Sequence, residues 1–182
     1  MIARRIAACL LVILCVVLAR GAQASEATGI PLVDQSGATF TLADMRGTPV
    51  VVTFVATRCT DTCPIANGVF SQLAAKRVHA RLVTITLDPI YDTPFVMAQF
   101  AREFAARPDS WRFASGRPAD IERLLHAFRV ARAHEHAGMH DAPDVHSTFA
   151  YLIGVDGRLA KVLPLSTNTK SDVIGWLKTS RS

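Results

Sequence analysis

An α/β fold with a mixed central sheet flanked by helices is predicted by three features of this sequence. The run PVVVTFV (49–55) is unbroken and β-branched, as in a central strand covered on both faces. Strand-type runs then alternate with segments whose apolar residues recur at helical spacing. Two further strand-type runs and a last helical segment close the chain.

Each element has its own signal. Ile30 to Asp34 and Thr39 to Leu42 flank Gln35-Ser36-Gly37 and form a predicted hairpin. After the central strand, PIANGVFSQLAAKR (64–77) sets Ile65, Val69, Phe70 and Leu73 at helical spacing, with Asn67-Gly68 as its weak point. ARLVTITL (80–87) is a second buried strand. TPFVMAQFAREFAA (93–106) opens with Thr93 as N-cap and Pro94 at the first helical position. WRFAS (111–115) is a short strand, and ADIERLLHAFRV (119–130) carries Ile121, Leu124, Leu125 and Phe128 on one helical face. A polar, histidine-rich loop is expected over 131–147. TFAYLIG (148–154) is a strand that Asp156-Gly157 turns into RLAKVLPL (158–165), and SDVIGWLK (171–178) is a helix with a Ser/Asp cap. A hairpin, three strand–helix units, a hairpin and a helix is the order of a thioredoxin-like fold with an N-terminal β-hairpin extension.

Residues 1–24 stand apart. Arg4 and Arg5 precede an uncharged apolar run from Ile6 to Ala19, and Ala22-Gln23-Ala24 supplies small residues at a cleavage position. This is the pattern of a signal peptide; an uncleaved membrane anchor is the second reading, although the run is short of the ~20 residues that span a bilayer. Leu14 is too large for Cys15 to be a lipidation site. Without this segment the formal charge falls from +5 to +2, so the basic whole-chain balance is no argument for nucleic-acid binding. Cys9 and Cys15 leave with it. The domain over 25–182 keeps Cys59 and Cys63, in an exported, periplasmic setting where thiols tend to oxidise.

Those two cysteines lie in TRCTDTCP (57–64), where the first long strand hands over to its helix. Three residues separate them, one more than in the usual redox spacing. With Cys63 in the first helical turn, the two Cα atoms are expected on the order of 6 Å apart. That distance permits a Cys59–Cys63 disulfide, and it permits two sulfurs to grip one soft ion. The helix N-terminus and Arg58 both favour thiolate, the form that binds metal or attacks a disulfide. A passive staple closing so short a loop would restrain the unfolded chain little.

Four histidines crowd HEHAGMHDAPDVHS (134–147). His146 directly precedes an apolar strand, so its backbone is expected to be held in place. It is either a third ligand presented to the cysteine loop or a loop histidine bonded to a carbonyl. Two thiolates and an imidazole would favour Cu(I), and such a mixed set can also hold Cu(II). His134, His136, Met139 and His140 are either an auxiliary metal site of H-x-H-x-x-M-H form or part of a solvated loop. The loop reading is preferred, because a site built only on a loop carries an ordering cost. His79, at a helix end, and His126, inside a helical pattern, are simplest as structural residues.

At this point the sequence resembles the Sco/SenC family, thioredoxin-like copper chaperones for cytochrome c oxidase assembly. The family's Thr-x-Cys-x-x-x-Cys-Pro is met by Thr57, Cys59, Cys63 and Pro64. Its Asp-Pro-x-x-Asp-Thr-Pro stands here as DPIYDTP (88–94), and its metal histidine matches His146 in DVHSTFAYLIG. The resemblance implies copper as cofactor, ligation by Cys59, Cys63 and His146, and a place near the site for Asp88. It implies delivery of copper to the CuA centre of oxidase subunit II, or to another periplasmic copper protein. One departure is Val145, where the family usually carries Asp; Asp144 sits one place earlier.

Two functions compete on these residues. A metallochaperone, not an enzyme, would need His146. A thiol–disulfide oxidoreductase, reducing the cysteines of the oxidase copper site or another exported protein, would need both cysteines and no His146. A thiol peroxidase would need a Pro-x-x-x-Thr-x-x-Cys frame, and FVATR stands before Cys59 instead.

Overall fold

A computed structural model describes residues 27–59, 63–130, 132–133, 145–146 and 148–180, with residues 63, 64, 132, 133, 145 and 146 described by their backbone alone. The predicted leader and the tetrad His134, His136, Met139 and His140 lie outside these residues. No described helix is long and apolar enough to cross a membrane.

The hairpin forms as β1 (Leu32–Asp34) and β2 (Thr39–Phe40), paired antiparallel. The Asp34 carboxylate accepts from the Ser36 and Ala38 N–H groups, and Gly37 adopts φ +84°, so the turn is wound around one side chain. Leu42 leaves the strand and opens a 3-10 turn, Leu42–Met45, because Thr41 and Asp44 cap each other's backbone.

Strand β3 (Val50–Val55) is buried along its whole length, Thr53 being its one polar residue. It is followed by helix α1 (Cys63–Ala75), strand β4 (Arg81–Thr86), helix α2 (Pro94–Glu103), strand β5 (Trp111–Ser115) and helix α3 (Pro118–Phe128). Thr93 does cap α2, its hydroxyl accepting from the Val96 N–H at 3.4 Å.

The 131–147 segment is not wholly a loop. Its ends pair as β6 (Arg132–Ala133) and β7 (Val145–His146), with Arg132 opposite His146. Two-residue strands carry too little pattern to show in sequence. Strands β8 (Phe149–Ile153) and β9 (Leu159–Pro164) form the second hairpin, and α4 (Thr169–Thr179) ends the described fold. The N-cap of α4 is Asn168 rather than the expected Ser171/Asp172 pair, because Thr169 bonds back to the Pro164 carbonyl and starts the helix early.

Seven of the described strands make one sheet in the order β2-β1-β5-β4-β3-β8-β9. Strands β3, β4 and β5 run parallel, while β8 enters antiparallel to β3. The sheet is therefore mixed and open at both edges. Val50, Val52 and Phe54 face one core with Ile121, Leu124, Leu125 and Phe128 of α3. On the opposite face Val51 packs with Val69, Phe70 and Leu73 of α1, Met97 of α2 and Val173 and Leu177 of α4.

Candidate metal centre

Topology brings the sequence-predicted ligand positions to one end of the sheet. The chain leaves β3 at Val55, turns through Thr57, Arg58 and Cys59, and starts α1 at Cys63. Because β8 is antiparallel to β3, with Val52 opposite Tyr151, the chain enters β8 at the end where it leaves β3. The Thr53 hydroxyl donates to the Phe149 carbonyl at 3.0 Å and pins that edge. His146, in β7, comes just before Phe149. The backbones of Cys59, Cys63 and His146 thus share one end, the carboxyl end of the parallel strands, where open α/β sheets place their ligands. Among the described residues, whose side chains exclude those of Cys63 and His146, no group of three or more His, Cys, Asp or Glu is gathered around a metal position.

Cys59 is half-buried. Its N–H donates to the Ala56 carbonyl at 3.0 Å, closing a tight turn, and it packs against Val55 and Ala66. A carboxylate that the sequence reading did not single out holds this turn. Asp92 is fully buried and accepts from the Thr57 N–H at 3.1 Å, from the Thr57 hydroxyl and from the Thr86 hydroxyl at 2.7 Å. The loops after β3 and β4 are consequently one hydrogen-bonded unit. A carboxyl group is buried at low cost only with such a set of hydrogen-bond donors. The available signal was its place as the second aspartate of DPIYDTP, directly before the Thr93 cap.

Asp88 engages Arg58. Its carboxylate accepts from the Arg58 guanidinium at 2.9 Å and from the Tyr91 N–H at 3.2 Å. The guanidinium also lies over the Tyr91 ring, 4.1 Å from its centroid. The hydrogen bond to Asp88, and then its charge, hold Arg58 above its ordinary pKa. Arg58 therefore does not act on the thiols as a lone cation: its charge is partly matched by Asp88.

Ile65 departs from its expected place in the core and is 52% exposed. The inward stripe of α1 runs through Ala66, Phe70 and Leu73, and Ile65 stands about 100° away from Ala66 around the helix. Ile90, Tyr91 and Phe95 are exposed too, on the segment that carries Asp88 and Asp92. Asn67 behaves in the opposite way. It is 1% exposed, and neither polar atom of its side chain has a hydrogen-bond partner among the described residues. The Thr148 hydroxyl is likewise buried without one. Each such group costs about 1–3 kcal/mol, so each calls for a reason. His79 lies between α1 and β4, at the opposite end of the parallel strands, and His126 is on the exposed face of α3.

Comparison with known proteins agrees with this architecture. The SCO1/SenC family model matches residues 21–179. An SCO2-like protein of Rickettsia felis is 27% identical over 154 residues, covering 81% of this chain and 73% of its own. The structure of Bradyrhizobium japonicum ScoI with copper bound superposes with a TM-score of 0.68 at 26% identity, covering 83% of this chain and 96% of that one. BsSco, described as a member of the Sco family of cytochrome c oxidase assembly proteins with a disulfide switch, gives a TM-score of 0.66 at 25% identity, over 82% of this chain and 90% of that one.

Proposed function

The chain belongs to the SCO1/SenC family, and from that premise we propose that it is a metallochaperone whose Cys59, Cys63 and His146 hold copper for delivery to the CuA centre of cytochrome c oxidase subunit II. Copper is its metal, and its role is in assembly of the oxidase. The observation that carries the ligand set is the shared sheet end: the β3–α1 junction brings two thiol-bearing residues to the end where β7 brings His146. Two sulfurs and one imidazole nitrogen suit a soft ion. Cys63 stands at the first position of α1, where the helix N-terminus carries a partial positive charge. Three ligands leave a position at which a recipient's thiolate can bind before a donor ligand leaves. Exposed Ile90 and Phe95 give that recipient an apolar surface on the segment clasped to the cysteine turn. Export to the periplasm by residues 1–24, cleaved or retained as an anchor, completes this reading.

The disulfide switch described for BsSco favours a second use of the same thiols. Cys59 and Cys63 would reduce the cysteines of the oxidase copper site, and their oxidised state would gate copper loading. Titration of the reduced protein with Cu(I), followed by X-ray absorption at the copper edge, tests the first reading. Two sulfurs and one nitrogen per copper are expected. A sphere without nitrogen removes His146, and equal uptake by the fully oxidised protein removes the gate.

A further inference from the structure

A groove opens at the amino ends of β4 and β5, between the C-terminal ends of α1 and α2. Its volume is about 670 Å³, within the roughly 300–1,000 Å³ of pockets that take small ligands. Buried Leu82 and Trp111 and half-buried Phe104 form its floor, and exposed Arg77, Arg107 and Asp109 its rim. Strand β4, six residues long, sets it roughly 20 Å from the cysteine turn. Positive charge gathers here. Residues 71–81 and 102–111 hold five Lys and Arg against two acids, an excess of three, while residues 25–182 as a whole carry an excess of two. Arg77 has no ion pair among the described residues. Arg107 meets Asp109 at 3.4 Å with both side chains largely exposed, and such a pair opens readily. The backbone at Arg77 is left-handed, φ +48°, a conformation that glycine takes without strain. An arginine there holds a cation at the groove mouth. Ala105, φ +49°, ends α2 in the same way. The Val78 N–H donates to the Leu73 carbonyl at 3.4 Å and the Ala106 N–H to the Ala101 carbonyl at 3.1 Å. Carbonyls of both last turns are thereby occupied, so the groove presents guanidinium groups rather than bare helix ends.

We propose that this groove binds an amphiphilic monoanion, a carboxylate on an apolar chain, whose head pairs with Arg77 and Arg107 and whose tail lies along Phe104, Leu82 and Trp111. Guanidinium groups match a carboxylate in charge and in hydrogen-bond geometry. The apolar floor rewards a tail by removing it from water, which a small acid such as acetate does not offer. A cationic amphiphile meets the same charges as repulsion. Asp109, the one acid lining the groove among the described residues, yields Arg107 to the incoming carboxylate. The site stands apart from the metal centre and does not depend on the copper reading.

The test titrates dodecanoate, below the concentration at which it forms micelles, into the full chain by calorimetry, with dodecyltrimethylammonium and acetate as comparisons. Binding of dodecanoate alone is expected. The Trp111 indole N–H donates to the Thr84 hydroxyl at 3.0 Å, and its NMR resonance should shift as the groove fills. Arg77→Asn, which suits a left-handed backbone, and Arg107→Gln should each weaken binding about tenfold, as loss of a charge-assisted hydrogen bond does. Ala75→Phe puts a ring into the groove from an exposed helix position and should abolish binding with both arginines in place. No binding of dodecanoate, equal binding of the cationic amphiphile, or wild-type affinity in both arginine variants overturns the inference. Binding that survives Ala75→Phe, or that leaves the Trp111 resonance in place, lies elsewhere on the chain and overturns it too.

Discussion

Asp92 and Thr57, 35 positions apart in the chain, are joined by two hydrogen bonds: the Asp92 carboxylate accepts both the N–H and the hydroxyl of Thr57. The same carboxylate takes the Thr86 hydroxyl. The turn that presents Cys59 is thus set by the end of β4 as much as by β3. Asp92→Ala orphans three donors in a buried place, and a loss of about 2–4 kcal/mol is expected. Asp92→Asn should lose roughly half of that, since it keeps the shape and one acceptor. Chemical denaturation measures the stability. Cu(I) competition on the folded fraction should show weaker binding in both variants, and unchanged affinity would separate the clasp from the site.

His146→Ala distinguishes the two uses of the cysteines. As a metallochaperone the variant should lose copper affinity by at least the ~100-fold that removal of a supporting group can cost at a metal site. Its Cys59–Cys63 pair should still cycle with a thiol reductant. Copper competition and disulfide reduction on one preparation provide the comparison. Intact copper affinity would leave the oxidoreductase reading in possession.

Simultaneous Ala substitution of His134, His136, Met139 and His140 is expected to leave copper stoichiometry unchanged, as for a solvated loop. Equilibrium dialysis measures it. A fall in copper bound per chain would make the tetrad an auxiliary site.

Tyr151 makes the fold sensitive to alkali. Burial among Phe54 and Phe128 pushes its hydroxyl up from about 10 to about 12. The folded state therefore prefers the protonated phenol. That preference is fully present below pH 10 and is lost as pH rises from 10 through 12. Urea midpoints should fall over this window in wild type, and Tyr151→Phe should lose less there.

What the sequence disclosed depended on how local each signal was. PVVVTFV declared a strand buried on both faces because apolar residues fill both, with Thr53 the one polar position and its hydroxyl satisfied by the Phe149 carbonyl, and Thr93-Pro94 declared a helix start by cap chemistry. WRFAS was recovered to the residue. The β6–β7 pair left no trace, since two residues make no period. Ile65 fitted the helical spacing but misled, because the stripe that packs was decided by which face met the sheet. Cys59, Cys63 and His146 were legible as candidates from residue type and motif, whereas the burial of Asp92 and the orphaned amide of Asn67 were not. Those two depend on what lies across the fold, and a single chain read in order cannot show it.

The antiparallel entry of β8 beside β3 also governs when the site can exist. Cys63 and His146 are roughly 80 positions apart, and closing so long a loop comes late in folding. An incomplete chain would hold the two thiols without His146. On the proposed ligand set, metal gripped by all three residues would reward only the finished topology, its binding free energy adding to native stability. Copper would act as a proofreader of this fold, retained by chains that have placed β8 and surrendered by those that have not.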